Sequence, residues 1–411
     1  MSGGSMPPSR WFAVGSAAGL ERVAGARAAD QALVHDDAKL LVVFCSPSHD
    51  LPILVRGINA RSGGVPLVGC TTAGEIAASG PREASVVVTA LGGDGFEIET
   101  AVATGASSDL RAAGACAARC LPSPESARPR RDIHRSRPRW GPEDRPYRAL
   151  LLLTDGLAGD QQEIIRGAYG VLGAGVPLVG GCAGDDLKMT RTFQLYGDQV
   201  LTDAVVAAGI ASSAPIGIGV RHGWRRVGEP MLVTLGGGNR VYTLDDRPAL
   251  DVYLDRLCVV GPARSNRELF NRLALTHPLG LSRRPSEEGQ VRFIGGADFA
   301  ERSLHCIAEV PQGGLVWIME GDAESVLEAT DAACGDSLAG LDGRAPLGIL
   351  AFDCIARRGV LGDRGIRTEI DRLAATARGA PVAGFYTYGE IARTRGVRGF
   401  HNQTLVVLSL S

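Results

Sequence analysis

The chain has 411 residues, 45% of them hydrophobic, and a formal net charge of −2. That length exceeds one ordinary hydrophobic core and implies two or three domains. The near-neutral balance excludes the broad basic surface of a nucleic-acid or acidic-membrane binder, so neither partner is expected.

Residues 1–10 are rich in Gly, Ser and Pro and lack the apolar run of a signal peptide. No apolar stretch reaches the roughly 20 residues of a membrane helix. A cytoplasmic protein follows. Nine scattered cysteines in such a chain are expected to be reduced thiols. Cys116 and Cys120, spaced i, i+4 on an Ala-rich helix, read as small core residues. Residues 1–37 read as a tail and an Ala-rich helix over 19–31.

A repeated unit then begins. The apolar run 40–44 is followed by a helix over 51–60, with Asp50 as N-cap and Gly63-Gly64 as stop. Val65-Pro66-Leu67-Val68-Gly69 follows, then Gly74-Glu75, then a second apolar run over 85–89. A strand over 96–103 and a helix over 109–120 lead to residues 121–147. These are dense in Pro and Arg and poor in aliphatics, so they read as a flexible insertion. The unit recurs with a run over 149–153, a helix over 160–173, Val176-Pro177-Leu178-Val179-Gly180, Gly184-Asp185 and a run over 204–208. Glycine-rich residues 217–224, a hairpin through 232–242 and a helix over 248–257 follow. Strands over 291–294, 304–310 and 315–320 and a helix over 323–333 come next. The third copy has a run over 347–352, a helix over 367–378, Ala380-Pro381-Val382-Ala383-Gly384, Gly389-Glu390 and a run over 404–408.

Strand, helix and strand in this order imply a right-handed crossover and a parallel pair, and the returning strand makes the sheet mixed. The expected fold is α/β, with layered mixed sheets built from duplicated strand-helix-strand-strand units in two domains, 38–245 and 246–411.

The runs Gly384-Phe385-Tyr386-Thr387-Tyr388-Gly389-Glu390-Ile391, His401-Asn402-Gln403-Thr404 and Phe352-Asp353-Cys354-Ile355-Ala356-Arg357 form a specific signature. With Gly69-Cys70-Thr71-Thr72-Ala73-Gly74-Glu75 and Gly181-Cys182-Ala183-Gly184-Asp185-Asp186, they resemble the FIST family, which joins a FIST-N and a FIST-C domain. The resemblance implies an intracellular, non-enzymatic sensor that binds a small ligand, with amino acids among the proposed ones. It also implies a separate output partner such as a histidine kinase or a cyclic-dinucleotide enzyme. A haem-binding nitric-oxide sensor is the alternative it implies, and a Cys-dependent enzyme is a weaker third reading.

Ligands of open α/β sheets sit outside the carboxyl ends of the strands, where Glu75, Asp185 and Glu390 are expected in equivalent places. Each either meets a ligand amine or braces its loop. Tyr386 and Tyr388 flank Glu390 and favour ligand contact there. Arg357 offers a planar fork for a carboxylate. Arg357 and Glu390 would then anchor the two ends of an amino acid, or else pair with each other. Cys354 is a candidate nucleophile or an inert thiol. His401 and Asn402 open the last strand, and His401 is one of several candidates for a haem ligand. No Cys-x-x-Cys-His, P-loop, G-x-S-x-G or zinc-type spacing occurs.

Overall fold

The three apolar runs become the central strands Ala38–Cys45, Tyr147–Thr154 and Gly348–Cys354 of a computed structural model. It describes residues 10–19, 22–77, 80, 84–121, 145–259, 266–282, 290–394 and 399–411. These strands are continuously apolar because both of their faces are covered. Each pairs in parallel with the Pro-apolar-Gly segment of its own unit: Leu67–Thr71, Leu178–Cys182 and Val382–Thr387. The crossovers are the helices Leu51–Ser62, Gln161–Leu172 and Ile355–Ala377. The last of these is broken at Gly362, which has φ 60° and ψ 179°. On the other side of each central strand runs an antiparallel return: Ser85–Gly92, Ala204–Ser212 or Leu405–Leu410.

The glycine that ends each Pro-apolar-Gly frame is required by strand packing. A Cβ at Gly69, Gly180 or Gly384 would lie 2.3, 2.0 or 1.9 Å from the carbonyl oxygen of Val43, Leu152 or Ala351. No side chain fits against backbone at those distances.

The three units exchange strands in a cycle. Glu75–Ala77 leaves the first unit and pairs with Val382–Thr387 of the third. Glu390–Arg393 leaves the third and pairs with Leu178–Cys182 of the second. Gln194–Tyr196 leaves the second and pairs with Leu67–Thr71 of the first. Register identifies the equivalent residues: Glu75 faces Phe385, Glu390 faces Gly181 and Gln194 faces Cys70, each one place after the frame glycine. Asp185 is therefore not the equivalent of Glu75 and Glu390. Gln194 is, and Asp185 belongs to a loop inserted before it.

The inner faces of the three sheets share one core. Phe44 lies 4.6 Å from Phe385 and 6.2 Å from Phe352 between ring centroids, with Leu151, Leu153 and Val206 of the second unit beside them. Burying each such side chain contributes roughly 1.5–3 kcal/mol. Helices cover the outer faces. A fourth sheet, inserted between Ile216–Arg221 and Gly348–Cys354, has its own core around Met231, Tyr253, Phe270 and Ile318. The whole is a mixed α/β fold with four sheets and eight α-helices among the described residues.

Several local expectations change. Residues Trp11–Ala18, read as tail, form a strand that pairs along its length with Ser85–Gly92. Gly15 there allows the helix Ala24–Ala32 to approach, since a Cβ would lie 1.9 Å from the Ala28 oxygen. Cys116, expected in the core, is exposed, whereas Cys120 is buried. Of the insertion, residues 122–144 lie outside the described residues. Leu121 is buried against Gly209.

Candidate functional site

A cavity of about 670 Å³ opens at the carboxyl ends of Tyr147–Thr154 and Gly348–Cys354. Its walls come from both halves of the chain. Gly156, Leu157 and Asp160 lead into the helix Gln161–Leu172, and Cys354, Ile355 and Ala356 turn into the helix of the third unit. Two loops of the fourth sheet, around Gly238-Asn239 and Cys306–Glu309, close the side opposite. Asn239 ties the two loops together by donating from Nδ2 to the Cys306 oxygen at 2.9 Å.

Cys354, Tyr388 and Asn402 are the buried members of the expected site that line this cavity. Asn402 is 2% exposed, and its Oδ1 has no hydrogen-bond partner. Burying such an acceptor unpaired costs about 1–3 kcal/mol. The Cys354 thiol donates to Glu390, which lies beneath it. Burial, with the nearby Glu390, pushes the Cys354 thiol well up, so it stays protonated. Glu390 accepts from Thr387 Oγ1 at 2.5 Å and from the Thr404 amide at 3.1 Å. Burial outweighs those bonds and raises its carboxyl to about 8. Glu75 repeats the pattern with Thr72 at 2.6 Å and with Ser85, and burial raises it to about 7. Both glutamates brace loops, and neither lines the cavity.

Asp185 braces a different loop. It accepts from the amides of Met189, Thr190 and Arg191 at 2.8, 2.7 and 2.9 Å, and from the Tyr388 hydroxyl. Burial opposes its ionisation, but these bonds prevail and hold it at about 2. The Tyr388 oxygen in turn accepts from the Leu187 amide at 2.7 Å. Asp186, Leu187 and Met189 all have positive φ, of 55°, 62° and 53°. Such backbone costs free energy and persists only where surroundings enforce it. The result is that Leu187 and Met189, 61% and 55% exposed, stand at the cavity mouth. Leu157 and Ile307 add to this apolar rim.

Asp160, Glu163, Arg166 and Glu309 also line the cavity. Arg166 pairs with Glu163 and lies 3.6 Å from Glu309. Asp160 caps its helix by accepting from the Gln162 amide at 3.0 Å. Burial, then Glu163 and Glu309, raise its carboxyl above the usual range. The sequence marked Asp160 only as a helix start, and nothing local marked residues 306–309.

Arg357 is absent from this lining. It is fully buried, donating to Asp353 and to Glu369 at 2.6 Å each, to Thr330 at 2.9 Å and to the His222 oxygen at 3.1 Å. Burial pushes the Asp353 carboxyl well up despite Arg357, and nearby Glu369 adds to the rise. The expected Arg357–Glu390 pair of ligand anchors is not formed, because Arg357 is consumed by an internal network. Tyr386 is buried beneath Arg358, 5.2 Å from ring centroid to guanidinium carbon. His401 Nε2 engages the Ala392 oxygen at 2.9 Å, and burial lowers its pKa to about 4.

No histidine is among the residues lining the cavity. Its two cysteines, Cys354 and Cys306, are held as thiols, Cys306 being pushed up to about 12 by burial. These residues do not fit a histidine-ligated haem. Among the described residues no group of three or more His, Cys, Asp or Glu could hold a metal ion, and no helix is long and apolar enough to cross a membrane.

The FIST N domain model matches residues 39–247, and the FIST C domain model matches residues 249–393. An uncharacterized protein found in two strains of Mycobacterium tuberculosis is 29% identical over 237 residues, 56% of this chain and 60% of that protein. The match thus spans less than two thirds of that relative. An uncharacterized protein of Methanocaldococcus jannaschii is 30% identical over 114 residues, 26% of this chain and 22% of that protein. A structure described as T. maritima PurL complexed with ADP covers 97% of this chain and 71% of its own at 11% identity, with a TM-score of 0.22, and carries no argument. With both domain models matched across most of its length, the chain belongs to the FIST family, whose domains are sensory domains of signal-transduction proteins.

Proposed function

We propose that this protein is an intracellular, non-enzymatic sensor whose small ligand binds in the cavity between the two FIST domains. One observation carries the reading: a cavity of about 670 Å³ with walls from both domains holds, in its lining, a buried amide oxygen without a partner. An unpaired acceptor in the wall of a cavity is a place for a ligand donor. A ligand touching Leu187 and Met189 on one side and Ile307 on the other reports its presence to both domains at once. The output partner is a separate protein, with a histidine kinase or a cyclic-dinucleotide enzyme as the expected type. Cys354 supports no catalytic role in this reading, since its thiol is protonated and its hydrogen bond goes to a buried acid.

Thermal-shift screening of small metabolites tests the proposal. A ligand at 100 times its Kd stabilises by about 2.7 kcal/mol. The stabilisation should fall to about half in Asn402→Leu, since losing one hydrogen bond weakens binding by about tenfold. Retention of the full shift in that variant would place the ligand elsewhere.

A further inference from the structure

We infer that the cavity takes an organic monoammonium ion with an apolar body and a hydrogen-bond donor at its far end; this rests on the cavity being the ligand site. The polar groups with spare capacity accept rather than donate. Asn402 Oδ1 is buried and unpaired. Asp160 makes no ion pair among the described residues, and Glu309 shares Arg166 at 3.6 Å with Glu163. Glu163 takes a second arginine, Arg111, at 2.7 Å. Arg166 is the cavity's sole lining cation among the described residues and is already engaged by two carboxylates.

Of the two helix starts at the cavity, the one beside the acidic residues is already occupied. Asp160 caps that one, and at the second Cys354 is the N-cap residue without a side-chain bond to the helix amides. At the Asp160 end a ligand carboxylate would meet Asp160 and Glu309 with no unpaired lining cation among the described residues to receive it. An ammonium group meets two acceptors instead, in a partly desolvated site where charge pairing is stronger than in water. Leu157, Leu187, Met189, Phe293 and Ile307 supply the apolar part of the lining. A ligand hydroxyl or N–H would complete Asn402.

Titration calorimetry on the full chain with four matched probes tests this. Tyramine carries the ammonium, ring and far hydroxyl. 2-Phenylethylamine lacks the hydroxyl, 3-(4-hydroxyphenyl)propionate replaces the amine by a carboxylate, and L-tyrosine adds a carboxylate. Tyramine should bind tightest, with 2-phenylethylamine weaker by about tenfold because Asn402 stays unpaired. Asn402→Leu should erase that difference. Asp160→Asn with Glu309→Gln should weaken tyramine by about tenfold or more, and Asn at position 160 keeps the helix cap. Equal or tighter binding of the propionate or of tyrosine would overturn the ligand class while leaving the cavity as the site. Absence of tyramine binding would also overturn it. Tyramine binding unaltered by all three substitutions would overturn both the class and the site.

Discussion

Gln194 stands in the second unit where Glu390 stands in the third. Each opens the exchanged strand, and each accepts from the backbone amide at the start of its unit's return strand: Ala204 to Gln194 at 3.2 Å, Thr404 to Glu390 at 3.1 Å. The cyclic exchange needs an acceptor at this joint, and a neutral amide serves as well as a carboxyl. Burial raises Glu75 to about 7 and Glu390 to about 8, so near neutrality Glu390 is largely protonated and Glu75 partly so. Their chemistry at the joint is close to that of glutamine.

This relation predicts a pH dependence of stability. The folded protein keeps protons on Glu75 and Glu390 up to about 7 and about 8, whereas an ordinary glutamate loses its proton near 4.5. Between those values these two groups bind more protons in the native state than in the unfolded one, so their contribution to stability falls as pH rises from about 4.5 to about 8. Glu75→Gln with Glu390→Gln should flatten that slope in urea melts run at pH 5 and pH 8. The variant should gain on the native protein at the higher pH.

Tyr388→Phe removes the hydroxyl that bridges Asp185 and the Leu187 amide. The loss should be about 1–3 kcal/mol, because a charge-assisted bond and a buried amide partner disappear together. Hydrogen exchange at Leu187 and Met189 should quicken, while protection in the strands Leu178–Cys182 and Val382–Thr387 remains.

Gly384→Ala forces a Cβ to within 1.9 Å of the Ala351 carbonyl oxygen between two parallel strands. Neither strand can yield without breaking the central sheet, so destabilisation above about 4 kcal/mol is expected. The soluble yield and melting temperature of Gly384→Ala should fall far below those of Gly343→Ala. Gly343 has open space around its Cβ position and only a positive φ of 79° to strain it.

Arg357→Ala leaves Asp353 and Glu369 buried without their cation, at a cost of about 3–5 kcal/mol. A triple change to Arg357→Met, Asp353→Asn and Glu369→Gln should recover much of that stability. Ligand affinity should survive in the triple variant, since Arg357 does not line the cavity. A loss of binding there, with normal stability, would make Arg357 a ligand anchor after all.

The threefold unit was legible because its signals are local. Continuous apolar runs mark the central strands, and the Pro-apolar-Gly frame marks a strand that must lie close to its neighbour. The strand Trp11–Ala18 was hidden, since Gly15 and its alanines dilute the alternation that marks a half-buried strand. Gln194 was hidden by the intervening loop, which placed Asp185 directly after a glycine and imitated the other two acids. The i, i+4 spacing of Asp353 and Arg357 was the local sign that Arg357 already had a partner. Cys354, Tyr388 and Asn402 were reached from sequence, because they follow strand ends. Asp160, Glu309, Leu187 and Met189 meet them only through tertiary packing, and no spacing rule joins such distant segments.

The central claim, a ligand held between the two domains against Asn402, is tested most directly by comparing thermal melts of the native protein and Asn402→Leu, with and without a stabilising ligand. Replacing an unpaired buried amide by an apolar group of similar shape should raise the melting temperature of the ligand-free protein. The same substitution should cut the ligand's stabilisation to about half. A ligand-free variant that melts lower, together with an undiminished shift on adding ligand, would contradict the account.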